Sequence, residues 1–195
     1  MSNKEISEKI IKLLDLDKDP VAIKMFKSED DAKKYLPRTG EQMRHCEMVY
    51  KAAKEKEAFY STVEEQSCPG GSTSLGLREG TLADDIVILD PIYNAIAYSP
   101  LESAEYEPDV IILYVNPLQA LKFKQTLRKV SHKRYHADFT GSQSLCSDVV
   151  SKPIINNESN LSFGCNGSRR CTDIRDDELV MGLIMEDVKL VADQL

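Results

Sequence analysis

Two short stretches of the sequence place a cysteine among glycines. Residues 67–72 read Ser-Cys-Pro-Gly-Gly-Ser and carry Cys68, and residues 161–171 read Leu-Ser-Phe-Gly-Cys-Asn-Gly-Ser-Arg-Arg-Cys and carry Cys165. Turns of this composition leave backbone amides free, and those amides can stabilise a thiolate or a bound anion. Two arginines after Cys165 add fixed positive charge. We therefore expect both turns to face one site whose chemistry depends on thiols.

Two more cysteines extend this candidate site. One falls on the apolar side of a predicted helix, and the other lies in a segment that begins at Ser142 or Ser144. Free cysteines in such places are often simply buried. Thiolates from four separate segments can also converge on one metal centre, and an all-thiolate site in a reducing compartment selects zinc or an iron–sulfur cluster. The candidate metal ligands are Cys46, Cys68, Cys146 and Cys165.

Glycines near the cysteines favour an iron–sulfur cluster over zinc, because they let backbone amides approach bridging sulfides. The chain has no Cys-x-x-Cys pair, the compact signature of either group. We expect the Arg169 guanidinium to point into the thiol site and balance its negative charge; the alternative is a surface ion pair with a nearby aspartate. The predicted cofactor-binding residues are Gly70, Gly71, Gly164, Gly167 and Arg169.

A second hypothesis needs no metal. Arg44, Arg169 and Arg170, together with the two glycine-rich turns, are the parts of a module that binds a small anionic metabolite. A cysteine-dependent enzyme would use Cys68 or Cys165 as its nucleophile, which usually has a partnered base. No histidine is tied to either thiol by the sequence, so whether the protein is an enzyme stays open. The remaining alternative is that the thiols and glycines are structural.

Composition limits the class of protein. The 195 residues carry a net charge of −7 and are 42% hydrophobic and 29% charged, as in an ordinary globular domain. The acidic balance argues against general nucleic-acid binding. No apolar run is long enough to cross a membrane, and the N-terminus has no signal-peptide pattern. We expect a cytoplasmic protein with reduced thiols, whose partners are a small anionic ligand, a redox protein, or a second copy in a homodimer.

Periodic patterns predict the elements that position these residues. The strongest is residues 110–115, a continuous apolar run expected as a central strand with both faces covered. Helices are predicted over 3–16 and 117–129 and should pack on that sheet. Ser168 is a candidate N-cap, and residues 134–139 alternate like a strand. Together these patterns predict one domain over residues 1–195, of α/β or α+β class, with a mixed β-sheet and flanking helices.

The order of several motifs resembles a known family. The motifs are Cys46 with the helix leading to Ala-Phe-Tyr at 58–60, Ser-Cys-Pro-Gly-Gly at 67–71, the stretch 98–117, and the stretch 161–179. Together they are similar to the domain-of-unknown-function family 169, found widely in anaerobic archaea and bacteria. The resemblance covers about residues 20–184. It implies that four of the five cysteines occupy family positions and that Cys171 does not, and it implies no settled activity.

Overall fold

A six-stranded antiparallel sheet forms the centre of the molecule in a computed structural model that describes residues 1–195. The strand order is β2-β3-β1-β4-β6-β5, and every pair of neighbouring strands is antiparallel. Two isolated parallel bridges lie outside the strands. The strands are β1 (Val21–Phe26), β2 (Phe59–Ser61), β3 (Ala95–Pro100), β4 (Val110–Val115), β5 (Asn160–Ser162) and β6 (Leu179–Leu183).

Strand β4 is central, as its composition predicts. It pairs with β1 on one side and β6 on the other, and all six of its residues are buried. Successive side chains point to opposite faces, so Ile111 enters one apolar cluster and Ile112 the other. The α+β prediction with flanking helices is confirmed, although the strands pair antiparallel where a mixed sheet was expected.

Long regular helices cover the first face of the sheet. Their apolar sides pack on one cluster of buried residues, which we call the first core. Capping follows the sequence: Ser2 and Glu5 form a capping box at the first of these helices, and Asn116 and Gln119 form another. The helices are α1 (Asn3–Leu14), the short α2 (Glu29–Lys33), α5 (Pro117–Arg128) and α8 (Met185–Ala192).

Shorter and less regular elements cover the second face. They pack on a separate apolar cluster, the second core, which contains Cys46 and Cys146. A π-helix spans Ser144–Ser151, a rare geometry that often marks functional sites. The other elements are α3 (His45–Lys54), α4 (Pro69–Ser74), α6 (Lys152–Asn156) and α7 (Asn166–Cys171). No helix of the structure combines the length and apolar character needed to cross a membrane.

The predicted strand over residues 134–139 is wrong, since this segment has no regular structure. A side chain replaces the ladder there: the Asn160 amide donates to the carbonyl of Asp138, and its oxygen accepts from the Asp138 N–H. That exchange satisfies the backbone locally, so no further strand forms beside β5. His132 and His136 are exposed and lie on no helix, so their spacing of four does not bring them together as a ligand pair.

Candidate functional site

Four cysteines distant in sequence line one cavity of about 220 Å³, which we call the thiol cavity. Cys46 comes from α3, Cys68 immediately precedes α4, Cys146 lies on the π-helix, and Cys165 immediately precedes α7. All five cysteines of the chain are free. The sequence predicted this set of four, and the fold brings them together. Whether they bind a ligand stays a prediction.

The two glycine-rich turns have the same local design. Each cysteine is the N-cap of the helix that follows, a position usually held by serine, threonine or an Asx residue. The Gly71 N–H donates to Cys68 Sγ at 3.4 Å, and the Ser168 N–H donates to Cys165 Sγ at 3.5 Å. Helix α7 therefore begins earlier than predicted: Cys165 is the cap, and Ser168 returns the contact by accepting from the Cys165 N–H at 3.0 Å.

The cysteines differ in how readily they ionise. Partial burial raises the pKa of the Cys165 thiol, but hydrogen bonds from backbone N–H groups, led by that of Ser168, outweigh burial and bring the pKa below its ordinary value. Cys46 and Cys146 are each 7% exposed. Burial raises the pKa of Cys46 to about 12 and that of Cys146 well above the usual range. In the free protein the two inner cysteines are thus thiols, and Cys165 becomes a thiolate more readily than either of them.

The predicted glycines have different roles around these sulfurs. A Cβ atom on Gly71 would lie 3.1 Å from Cys146 Sγ and 3.5 Å from Cys68 Sγ, so the absent side chain lets both sulfurs approach one point. Gly167 lines the thiol cavity. Gly164 has φ +82°, a conformation that favours glycine, and turns the chain into Cys165. Gly70 lies beneath Gln143, whose Nε2 is 2.5 Å from the position of a Cβ.

Arg169 does not line the thiol cavity, so the prediction that its guanidinium points inward is wrong. The side chain donates to three backbone carbonyls, those of Phe163, Arg175 and Glu178, at 2.5–3.0 Å. The alternative of a surface ion pair with a neighbouring aspartate does not describe it either. Arg169 instead holds the loop after β5 against the start of β6, because this loop leaves carbonyls without partners in the sheet.

Arg44 is the arginine that lines the thiol cavity, beside His45. His45 is 1% exposed, and its ring nitrogens contact the hydroxyl of Tyr98 at 2.9 Å and the carbonyl of Leu145 at 3.1 Å. Burial lowers the pKa of His45 to about 4, so the ring is neutral. Both nitrogens are occupied, and the imidazole is therefore a structural partner and not a general base for a thiol.

The π-helix that carries Cys146 rests directly on the sheet. A Cβ atom on Gly182 of β6 would lie 2.0 Å from the carbonyl oxygen of Val149, so only glycine allows this approach. The sequence did not reveal this contact, because it depends on two segments more than thirty residues apart. The segment before the π-helix adds Gln143 to the cavity wall with φ +52°, and no pattern in the sequence predicted that residue at the site.

The spacing of the thiols bears on which ligand they could hold. No three histidine, cysteine, aspartate or glutamate side chains are grouped closely enough to hold a single metal ion. The sulfurs around one zinc ion lie within about 4 Å of each other, given metal–sulfur bonds near 2.3 Å. The thiol cavity is thus not a preformed site for one ion. Its lining contains no aspartate or glutamate, so cysteine supplies all of its acidic groups.

Comparison with known proteins gives a family but no activity. The family model described as uncharacterised ArCR, domain of unknown function 169, matches residues 9–86 and 81–194. An uncharacterised protein of Methanocaldococcus jannaschii is 31% identical in an alignment that covers 98% of this chain and 93% of that protein. No solved structure matches the chain. The resemblance seen in the motifs is confirmed, and the chain belongs to the domain-of-unknown-function family 169.

Proposed function

We propose that this protein binds an iron–sulfur cluster through Cys46, Cys68, Cys146 and Cys165. One observation carries the proposal: four thiols from four separate elements line a single cavity that contains no carboxylate. Chance burial of cysteines in a core does not require them to meet. Such a cluster supplies one-electron transfer, so a redox protein would be the partner.

The surroundings of the sulfurs suit a cluster better than a zinc ion. A cluster distributes its thiolate ligands over several iron atoms, so it does not need three sulfurs gathered around one metal. Backbone N–H groups already donate to Cys68 and Cys165, and hydrogen bonds of this kind stabilise and tune sulfur ligands. Zinc is the alternative ligand, and it would require the four sulfurs to draw closer together.

Proton release follows from the same geometry. Cys46 and Cys146 are protonated in the free protein because burial raises the pKa of each thiol. Metal ligation needs the thiolate, so loading the site must release protons and must weaken as the pH falls. A bound metal would supply the positive charge that stabilises Cys46 and Cys146 as buried thiolates.

The test is metal analysis of protein purified and reconstituted without oxygen. We expect a brown protein with matched iron and acid-labile sulfide and little zinc. Serine substitution of each cavity cysteine in turn should abolish or strongly reduce both contents, whereas Cys171→Ser should match the parent. Cys171 is a suitable control because it is half-buried like Cys68 and Cys165 but does not line the thiol cavity. A colourless parent without iron, or cavity variants that all equal the parent, would refute the proposal.

A metal-free function is favoured by one separate observation, the lowered pKa of the partly exposed Cys165. Arg44 is near: its Nη1 atom and Cys165 Sγ each lie 3.5 Å from the position of a Cβ on Gly167. A thiolate beside a guanidinium could bind or attack a small anionic metabolite. No base partners the thiol, so the backbone amides alone would activate it. This alternative stands if the parent carries neither iron nor zinc yet Cys165 is alkylated at a pH where a free cysteine peptide is not.

A further inference from the structure

A second cavity of about 370 Å³ opens beside the thiol cavity. It shares Arg44, Asn166 and Gly167 with the thiol cavity and adds Arg170 and Cys171. We call it the arginine cavity. The shared wall means that a molecule held between the two arginines lies next to the thiols, so the two cavities form one continuous concave surface.

The two arginines of this cavity have no acidic partner. Neither guanidinium forms an ion pair with any aspartate or glutamate of the chain. Two other arginines of the chain are paired: Arg38 contacts three glutamates, and Arg175 contacts two aspartates and a glutamate. The chain has 32 acidic residues against 25 basic ones. Arg44 and Arg170 are therefore two arginines without an acidic partner that line the same cavity of an acidic protein.

The residues that line the two cavities are free of negative side chains other than cysteine. No aspartate or glutamate lines either cavity, although acidic side chains are abundant in the sequence. Asn166 contributes an amide, which can donate a neutral hydrogen bond beside the two charged donors. Guanidinium groups match carboxylate and phosphate oxygens with paired, charge-assisted hydrogen bonds. The net charge of −7 repels anions in general, so binding would be confined to this concavity.

We propose that Arg44 and Arg170 bind the carboxylate or phosphate group of a small organic ligand and hold it beside the thiol cavity. The inference rests on the proposed function in one respect: it names the class of molecule on which a cofactor held by the thiols would act. Arg44 is half-buried and shared by both cavities, so it is the main anchor. Arg170 is exposed and closes the outer side.

The experiment is calorimetric titration of the anaerobically purified full-length protein with succinate and, separately, with inorganic phosphate. We expect one of the two to bind, and the succinate diamide, which has no charge, not to bind. Arg44→Gln should weaken binding roughly tenfold or more and Arg170→Gln by a smaller factor, since each removes charge-assisted hydrogen bonds. Arg78→Gln is the matched control, because Arg78 is exposed and lines neither cavity.

The outcomes separate the two proposals. Preference for succinate assigns a carboxylate ligand, and preference for phosphate assigns a phosphate ester. If neither anion binds the parent, or if Arg44→Gln binds as tightly as Arg78→Gln, the arginine cavity is not an anion site. The iron content of Arg170→Gln is expected to equal that of the parent, because Arg170 does not line the thiol cavity. Cysteine variants that lose iron but still bind the anion would show that the two sites are independent. A parent that carries no iron but binds the anion would refute the cluster and leave the anion site standing.

Discussion

The two faces of the sheet are covered by apolar cores of equal size, but these cores differ in their cysteine content and in the elements that cover them. Each core contains 23 buried residues. The first core has no cysteine and lies mainly under α1 and α5, capped helices of 12 residues each. The second core contains Cys46 and Cys146 and lies under α3, a π-helix and helices of five or six residues. Both cores stabilise the domain through burial, and the second core also positions two of the cysteines that line the thiol cavity.

The difference has a simple physical basis. A long helix satisfies its own N–H groups except in the first turn, so it offers few donors to a ligand. The second face brings the first turns of α4 and α7 to one place, and each turn directs an N–H group at a sulfur. Substitutions on the two faces should separate stability from ligand binding.

The largest effect on stability is expected on the first face. Phe123 is fully buried in the first core, and Phe123→Ala should lower the free energy of unfolding by about 3–5 kcal/mol. Folded molecules of this variant should still carry the iron of the parent, because the thiol cavity lies on the opposite face. Chemical denaturation and iron per folded chain measure the two quantities. Loss of iron at full folding would show that the faces are not independent.

The second face should make stability depend on pH through His45. Its pKa is about 4 in the folded protein and about 6.5 in an unfolded chain, so the unfolded state binds a proton that the folded state refuses. Stability from this group is complete above pH 6.5 and is lost as the pH falls towards 4, by roughly 3 kcal/mol in total. Denaturation at several pH values gives the free energy of unfolding as a function of pH. Between pH 6.5 and 4 this free energy should fall less steeply in His45→Gln than in the parent. His136→Gln, at an exposed histidine, should keep the parental slope.

Gly182 links the two faces and should give an intermediate effect. Gly182→Ala places a methyl group against the backbone of the π-helix at Val149, an overpacking expected to cost about 1–3 kcal/mol. Because the π-helix carries Cys146, iron content should also fall. Met181→Leu is the control: the neighbouring residue faces the first core, and a volume-conserving change there should cost less and leave iron unchanged. Equal iron in both variants would contradict a positioning role for Gly182.

The smallest effect concerns thiol reactivity in the metal-free, reduced protein. Backbone N–H groups lower the pKa of Cys165 below its ordinary value, whereas burial raises that of Cys46 to about 12. Alkylation followed by peptide mass mapping should label Cys165 at a lower pH than a free cysteine peptide. Cys46 should stay unlabelled until the protein unfolds. Labelling of Cys46 before Cys165 would show that the amides do not control these thiols.

Much of this arrangement could be predicted from local sequence. The apolar run of β4, the helix that follows it and the glycine-rich turn before α4 depend on neighbouring residues, so patterns reveal them. The place of Cys68 and Cys165 in glycine-rich turns drew attention to those two, and the family resemblance added Cys46 and Cys146 and set Cys171 apart. That these cysteines meet in one cavity was an expectation, and only the folded structure could test it.

The features that the sequence did not predict correctly depend on contacts between distant segments or on an unusual helix cap. Arg169 was expected in the cavity, but the carbonyls that hold it belong to a loop whose path the sequence does not reveal. Cys165 was not expected as an N-cap, because cysteine rarely takes that position. The segment at 134–139 alternates like a strand, yet the Asn160 side chain satisfies its backbone instead.

Native mass spectrometry of the reduced protein after anaerobic reconstitution with iron and sulfide tests most directly whether a cluster binds. We expect a mass above that of the bare chain, by an amount that corresponds to equal numbers of iron and sulfide. Cys171→Ser should retain this added mass, and Cys146→Ser should lose it. A reconstituted parent with the mass of the bare polypeptide, or with a single metal ion and no sulfide, would contradict a cluster bound by Cys46, Cys68, Cys146 and Cys165.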